Sequence, residues 1–475
     1  MEASCNRAAW AGLLLSRLAV GIVLVLLLVP VSLDDSFRMF YALWWYDHPS
    51  FYPLPFWLPG QFYLYGLVSG MASDALLTPR IVTLALHLGT GCLLALDRSA
   101  DPPVRWVAAV WLMLSPLSLV LGTVPLSEAL FVLLVLGGLV AMSRFLDSGR
   151  PWALAASTLL YLGAALVRYE GWVLLPLFTA FTFAHRTTAI SRPTIWALRI
   201  LPWTFPAVWM LLLWRLEANP VLFLDNIRMD LYGSGDLRAA FSSPASWVIG
   251  LQVAAALASL APGIAAAVRR RASMRDLLWE AHLAAAVLFL AWTLATDNIP
   301  SQYAIRLFYP VIVFASVPAA RLLAGAVRPS RLVAAGALSG LVLSVAGLSY
   351  ALTLEPGHDG PSFETARQVR EAYARGVIDE QDHVIVDMEP PGTMSLVVYA
   401  NRHDTVHADA GFSKSYLECW EMSPPGWVKS VRMAVVLDES HASYLETLGW
   451  RRWQGTPPWS IYVRPAGSPA PGACP

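Results

Sequence analysis

"AGLLLSRLAVGIVLVLLLVPVSLDDSFRMFYALWWYDHP", residues 11–49, decides how the rest of the chain is read. The run Ala11–Leu33 is apolar over the roughly 20 residues needed to cross a hydrocarbon core of about 30 Å. No small-residue cleavage site follows it, so it predicts a retained first membrane helix rather than a removed signal peptide. Directly behind it come two adjacent acids, Asp34 and Asp35, then Arg38 and a crowd of aromatic residues. The question is what a pair of carboxylates does where a membrane helix has just ended. Trp44, Trp45, Tyr46, Tyr52, Phe56 and Trp57 suit an interfacial position, because amphipathic rings prefer the headgroup level.

Composition carries the same message across the whole chain. Of 475 residues, 56% are hydrophobic and 14% charged, against about 25% charged in an average soluble domain, and mean hydropathy is +0.53. The formal net charge of zero gives no electrostatic case for a nucleic-acid partner. Lys414 and Lys429 are the only lysines among 33 basic residues, a bias read as genome composition. Cys5, Cys92, Cys419 and Cys474 lack metal-site spacing. Cys419 and Cys474 can pair only if their region is extracytoplasmic, and the sequence leaves that open.

Apolar runs predict eleven spans, near residues 11–31, 81–96, 106–122, 128–145, 152–167, 171–184, 196–214, 246–267, 277–296, 307–325 and 331–353. Arginines set the orientation, since basic loops stay cytoplasmic. With the N-terminus inside, the cytoplasmic loops hold Arg98 and Arg105, Arg144 and Arg150, Arg186 and Arg192, Arg269, Arg270, Arg271 and Arg275, then Arg328 and Arg331. An odd number of spans places everything after Leu354 outside. That arrangement needs 32–79 as one outer loop. "PGQFYLYGLVSGMASDALL" within it is accordingly read as a juxtamembrane or interfacial helix, because a further span would put the triple arginine outside.

Three parts follow: a membrane domain over 1–355 that includes the first outer loop 32–79, an extracytoplasmic α/β domain over 356–465, and a disordered tail over 466–475. In the α/β domain "FETARQVREAYARG" has a helical period, "HVIVDM", "MAVVLDE" and "WSIYVRP" read as strands, and "SLVVYAN" and "ASYLETLG" read as helices. The expected fold class is an α-helical polytopic membrane protein with a small C-terminal α/β domain. No internal repeat of the transporter kind is evident.

On this topology Asp34, Asp35, Glu128, Arg168, Glu170, the loop from Arg215 to Arg238 and the stretch from Asp297 to Arg306 all fall on the outer side. The span centres read as almost free of charge, with His87 well inside and Glu280 and His282 near a cytoplasmic end. An ion carrier more often places carboxylates near midplane. The working face is therefore expected at the outer surface.

"LDDSFRMFYA", "PLSEALFVLL", "LVRYEGWVLLPL" and "RLFYPVIVFA", in that order, resemble the landmarks of the GT-C superfamily of polytopic glycosyltransferases. The nearest resemblance is to bacterial relatives of protein mannosyltransferases and aminoarabinose transferases, and it covers roughly residues 10–355. It implies a polyprenyl-phosphate sugar as donor, with mannose the leading sugar, and a glycan, lipid or protein acceptor at the bilayer's outer face. It also implies a bacterial inner-membrane location. The chain departs from many relatives in carrying Asp-Asp where they carry Asp-Glu. A lipid flippase or other transporter, and a noncatalytic scaffold of the same fold, are the rival readings.

The resemblance implies roles residue by residue. Asp34 is the base that takes the acceptor's hydroxyl proton, since inverting transfer through an oxocarbenium-like transition state needs one carboxylate there; Asp35 supports it, or the two exchange roles. Glu128 is either a helix-start acid or an outer-loop acid that holds acceptor or metal, and a divalent cation, if present, would rest on Asp35 and Glu128. Arg168 either pairs locally with Glu170 or meets the donor phosphate. Arg306 is the stronger phosphate candidate, or else a snorkelling arginine. Tyr303 and Tyr309 line the lipid or sugar site, or serve only at the interface.

Overall fold

The computed structural model describes residues 2–27, 33–51, 57–97, 100–184, 191–222, 244–269, 274, 277–295, 304–327, 329–353, 360–387, 392–402, 405–409, 430–437 and 439–468. Tyr303, Cys419 and Cys474 lie outside these residues, as do the side chains of Asp34 and Asp35.

Eight of the described helices are long and apolar enough to cross a membrane. They coincide with eight of the predicted runs: α1 (Glu2–Leu27), α4 (Leu77–Leu96), α7 (Ser127–Ser148), α10 (Arg192–Glu217), and the helices Pro244–Val268, Leu277–Ala295, Tyr309–Ala326 and Pro329–Thr353. Two further runs form the shorter helices α8 (Pro151–Val167) and α9 (Tyr169–Ala184). The run 106–122 differs from its reading as one span. It is two helices, α5 (Pro102–Met113) and α6 (Pro116–Leu121), separated at Ser115, which is extended at φ −56° and ψ 139°. Pro116 is the reason: it lacks an N–H and pushes the preceding residue out of the helical region.

The chain divides into two compact units, the first formed by residues 1–26, 51–61 and 81–353. Its inner layer is the hairpin of α7 and α8. Gly149 caps α7 in the left-handed region at φ 62°, donating its N–H to the carbonyl of Phe145, and Pro151 then opens α8 where a missing N–H costs nothing. The two helices are stitched by the Ser157 hydroxyl, which donates to the carbonyl of Gly138 at 3.0 Å. Tyr161 on α8 donates its hydroxyl to His282 Nε2 at 2.7 Å, and His282 in turn donates from Nδ1 to the carbonyl of Leu278. Such pairs satisfy polar groups that would otherwise sit bare in apolar surroundings. An apolar cluster of Leu58, Ala165, Phe205, Trp209 and Leu213 fills the space between α8 and α10.

The second unit comprises residues 27–50, 62–80 and 354–475. It contains a five-stranded sheet in the order β2-β1-β3-β5-β4, built from β1 (His383–Asp387), β2 (Val406–Asp409), β3 (Val431–Val436), β4 (Arg451–Gln454) and β5 (Ser460–Val463). β1 pairs in parallel with β2 and β3, whereas β5 pairs antiparallel with β3 and β4. Ile385, Val431, Ala434, Val436, Leu445, Trp450 and Tyr462 form its core. The predicted strands and helices of the tail are all present, and β2 and β4 are additional.

Two short helices that follow α1 in sequence, α2 (Leu33–Asp47) and α3 (Gly60–Ala72), contribute most of their length to this same unit. At 13 residues α3 is too short to span a bilayer. The helix Gly392–Ala400 packs on α2. Asn401, at φ 56°, accepts the Ala75 N–H at 2.6 Å and donates to Asp74 Oδ1 at 3.0 Å. Asp74 also accepts from the N–H groups of Leu76, Leu77 and Thr78 at the start of α4. Burial alone would raise the Asp74 pKa, but those hydrogen bonds outweigh it and hold the carboxyl below its usual value.

Candidate functional site

Four of the singled-out residues meet inside the first unit. Ser127 and Glu128 open α7, yet Ser127 does not cap it; Leu126 holds the cap position and makes no side-chain cap bond. Both side chains turn instead toward Arg168. Arg168 terminates α8 with extended backbone, φ −146° and ψ 146°, which projects its guanidinium away from the helix. Its Nη1 donates to Glu128 Oε1 at 2.5 Å and to Ser127 Oγ at 2.9 Å. Its Nε donates to Glu170 Oε1 at 3.1 Å, and Nη2 reaches the same oxygen at 2.5 Å. The forked guanidinium suits this bridging geometry better than a lysine would.

Arg306 joins the group from a 3₁₀ turn, Ala304–Phe308, that leads into the helix Tyr309–Ala326. Its Nε lies 4.0 Å from Glu128 Oε1. The cluster is withdrawn from solvent: Glu128 is 3% exposed, Arg306 8%, Arg168 14% and Glu170 15%. Two carboxylates and two guanidiniums balance formally. Burial by itself would lower the Arg168 pKa, but Glu128 and Glu170 reverse the sign and hold it raised. Glu128 Oε1 accepts from Arg168 Nη1 and lies 4.0 Å from Arg306 Nε.

Of the two readings of Arg168, the local pair with Glu170 is present, and a second carboxylate, Glu128 of α7, joins it. A dication on Glu128 would face two guanidiniums within 4.0 Å of the same oxygen, and like-charge repulsion at that range is costly. Asp35, the other residue expected to hold a cation, has its side chain outside the described residues. Among the described residues no group of three or more His, Cys, Asp or Glu forms a metal site.

Asp34 and Asp35 sit in the first turn of α2 by their backbone, which belongs to the other unit. Tyr309, buried at 1% exposure, opens the helix behind Arg306.

One polar group was missed from sequence. Arg17, in the middle of α1, is fully buried. Its Nε donates to His87 Nδ1 at 3.1 Å, and Nη2 donates to the carbonyl of Gly122 at 3.0 Å and reaches Thr123 Oγ1 at 3.4 Å. Nη1 has no hydrogen-bond partner among the described residues. The expectation of charge-free span centres is thus corrected, and His87 is an acceptor for an intramembrane arginine. The signal was visible: Arg17 is the only charged residue between Arg7 and Asp34.

The described residues form apolar helices, with two short helices after the first span and an α/β region toward the C-terminus. The chain is similar in structure to ArnT from Cupriavidus metallidurans, solved bound to undecaprenyl phosphate, with a TM-score of 0.58, 15% identity, and coverage of 96% of this chain and 98% of that one. It also aligns with the arabinofuranosyltransferase AftD from Mycobacteria at 16% identity and a TM-score of 0.43, covering 94% of this chain and 39% of AftD. No protein-family model and no curated protein sequence matches it.

Proposed function

We propose that the protein is a glycosyltransferase that moves a sugar from a polyprenyl-phosphate carrier to a glycan, lipid or protein acceptor at the outer face of a bacterial inner membrane. The observation that carries this reading is the buried Ser127–Glu128–Arg168–Glu170–Arg306 cluster within a fold shared with a protein solved with undecaprenyl phosphate. A lipid phosphate is an anion that must be held at a membrane surface, and arginines braced by carboxylates are suited to present a fixed donor array to it. Arg306 is assigned to the phosphate, with Arg168 holding Glu128 in place beside it.

Asp34 is assigned as the base. The acceptor oxygen attacks the anomeric carbon, its proton passes to the Asp34 carboxylate, the bond between that carbon and the phosphate oxygen breaks, and polyprenyl phosphate leaves with the electron pair. Attack opposite the leaving group inverts the anomeric configuration. Asp35 positions the acceptor. The N-terminus is placed in the cytoplasm and the C-terminal α/β region outside, as the loop arginines require. Mannose stays the first sugar to try.

The test is the full chain in liposomes, offered a polyprenyl-phosphate sugar or a nucleotide sugar with no lipid carrier. Asp34→Asn is expected to lower turnover at least 10²- to 10⁴-fold, the usual range for a lost general base, with folding intact; Asp35→Asn costs less. Turnover on the nucleotide sugar alone refutes the donor assignment. Near-normal transfer by a well-folded Asp34→Asn protein removes Asp34 as the base.

A further inference from the structure

A cavity of about 460 Å³ opens elsewhere in the first unit, lined by Ala95, Leu96, Ala100, Arg105 and Arg144. Ala100 lies in the connection before α5, and three elements bring the others together: the last turn of α4, the first turn of α5 and the penultimate turn of α7. We propose that this cavity binds the phosphate headgroup of an anionic glycerophospholipid, held between Arg105 and Arg144.

The charge lining it is of one sign. Arg105 spends one donor on α4, giving Nη1–H to the carbonyl of Ala95 at 2.6 Å, while its buried Nε has no partner among the described residues. Arg144 is joined to its neighbours only through its backbone carbonyl, which accepts from the Ser148 hydroxyl at 2.7 Å; its guanidinium has no hydrogen-bond or ion-pair partner among the described residues. Among the described residues no carboxylate lines the space. Asp97 is not among the lining residues; it is buried and accepts from the Trp279 indole at 3.0 Å, and exposed Asp101 accepts from the Arg105 N–H through its backbone oxygen. Two guanidiniums around a void with no counter-charge among the described residues call for an anion. Their planar forks match phosphate geometry.

Backbone donors do not supply the site. Pro102 and Pro103 open α5 and have no N–H, so the positive end of that helix offers little. The side chains must therefore do the binding, which makes it sensitive to their substitution. Beside them Leu96 is 51% exposed, an apolar surface for an acyl chain where free phosphate would find none. Basic pockets between transmembrane helices are a recurrent way to hold anionic lipid headgroups.

This site is separate from the Glu128 cluster. Glu128 and Arg144 lie on the same helix, sixteen residues apart, which at 1.5 Å per residue is about 24 Å. The two ends of α7 thus address opposite faces of a bilayer, and the cavity lies on the face that the loop arginines mark as cytoplasmic.

The experiment uses the purified full chain in detergent, titrated with phosphatidylglycerol, with phosphatidylcholine of the same chain length, or with inorganic phosphate, and read by thermal unfolding and by native mass spectrometry. Phosphatidylglycerol is expected to raise Tm and to give a bound mass that phosphatidylcholine does not. Replacing both arginines, R105Q with R144Q, should weaken that binding about tenfold or more for each guanidinium removed. R144Q alone keeps the Arg105–Ala95 hydrogen bond and serves if the double variant does not fold. Retention of wild-type phosphatidylglycerol affinity by a folded R144Q protein overturns the proposal, as does an equal response to phosphatidylcholine. A Tm rise with inorganic phosphate alone overturns the lipid assignment. None of these readouts depends on sugar transfer, so their failure would leave the enzymatic reading untouched.

Discussion

Glu128→Gln isolates the charge at the centre of the buried cluster. The substitution keeps the shape and one carbonyl oxygen that can still accept from Arg168 Nη1, but it removes the negative charge that lies 2.5 Å from Arg168 and 4.0 Å from Arg306. At an effective dielectric of about 20, unit charges 4 Å apart interact by about 4 kcal/mol, and breaking a buried pair by removing one partner typically costs about 3 to 5 kcal/mol. Glu170 still neutralises Arg168, and the retained amide oxygen keeps part of the hydrogen bond. The expected loss is therefore at or just below the lower end of that range, about 2 to 3 kcal/mol. It should appear as a lower Tm of the purified protein and as reduced transfer. A cycle with Arg168→Gln gives the sharper reading, because groups that touch directly couple by about 0.5 to 3 kcal/mol. Additive effects in that cycle would refute the geometry, and an unchanged Tm in Glu128→Gln would show that the charge is not buried in the paired state.

Further predictions test neighbouring claims. Arg17→Gln should lower Tm and speed hydrogen exchange at Gly122 and Thr123, whose carbonyl and hydroxyl it engages; unchanged exchange there would dismiss Arg17 as the tie between α1 and the turn after α6. Asp74 has a depressed pKa, so its contribution is present above the ordinary carboxylate value near about 4 and fades as pH falls through the lowered folded value. An acid-unfolding profile should accordingly flatten in Asp74→Asn, and an unaltered slope would discard the linkage. Asn401→Ala removes two hydrogen bonds to the Asp74–Ala75 turn and should destabilise that unit by about 1 to 3 kcal/mol, following the usual net value of such bonds; no change in local exchange at Ala75 would count against it.

How much of this was legible from the sequence depends on which physical signal a segment carries. Apolar length is local and strong, so α1, α4, α7 and α10 could be read from their runs alone. The tail strands around Val384 and Val435 announced themselves as β-rich apolar runs. The strand Val406–Asp409 did not, because "VHAD" is short and mixed, and its pairing with β1 supplies what its propensity lacks. The break at Ser115–Pro116 could have been predicted from Pro116, yet the hydrophobicity of the run on both sides concealed it. Arg17 shows the opposite error: a single charge in a long apolar helix is averaged away by a hydropathy window, although burial there demands partners. Grouping of α2 and α3 with the tail residues 354–475 could not be read from chain continuity, since it rests on long-range bonds such as Asn401 to Asp74.

Arg168 and Gly171 show how the site depends on backbone that no side-chain motif reveals. "VRYEG" reads as a turn with an ion pair, and the pair of Arg168 with Glu170 is indeed there. What places the arginine between two acids is the close passage of the chain after α8. The Gly171 N–H donates to the Arg168 carbonyl at 3.0 Å, and a Cβ on Gly171 would stand 2.7 Å from the carbonyl oxygen of Ala164, a clash with rigid backbone that side-chain rotation cannot relieve. Gly171→Ala must therefore push α9 away from the end of α8, and Arg168 and Glu170 move with it. A shift of about 1 Å at a positioning group can cost about 10²-fold in rate, so transfer should fall by that order while the apolar packing of α7 against α8 persists. The measurement is turnover alongside Tm. A well-folded Gly171→Ala protein with wild-type turnover would show that the turn does not set the position of Arg168, and the cluster's link to function would then have to rest on Glu128 and Arg306 alone.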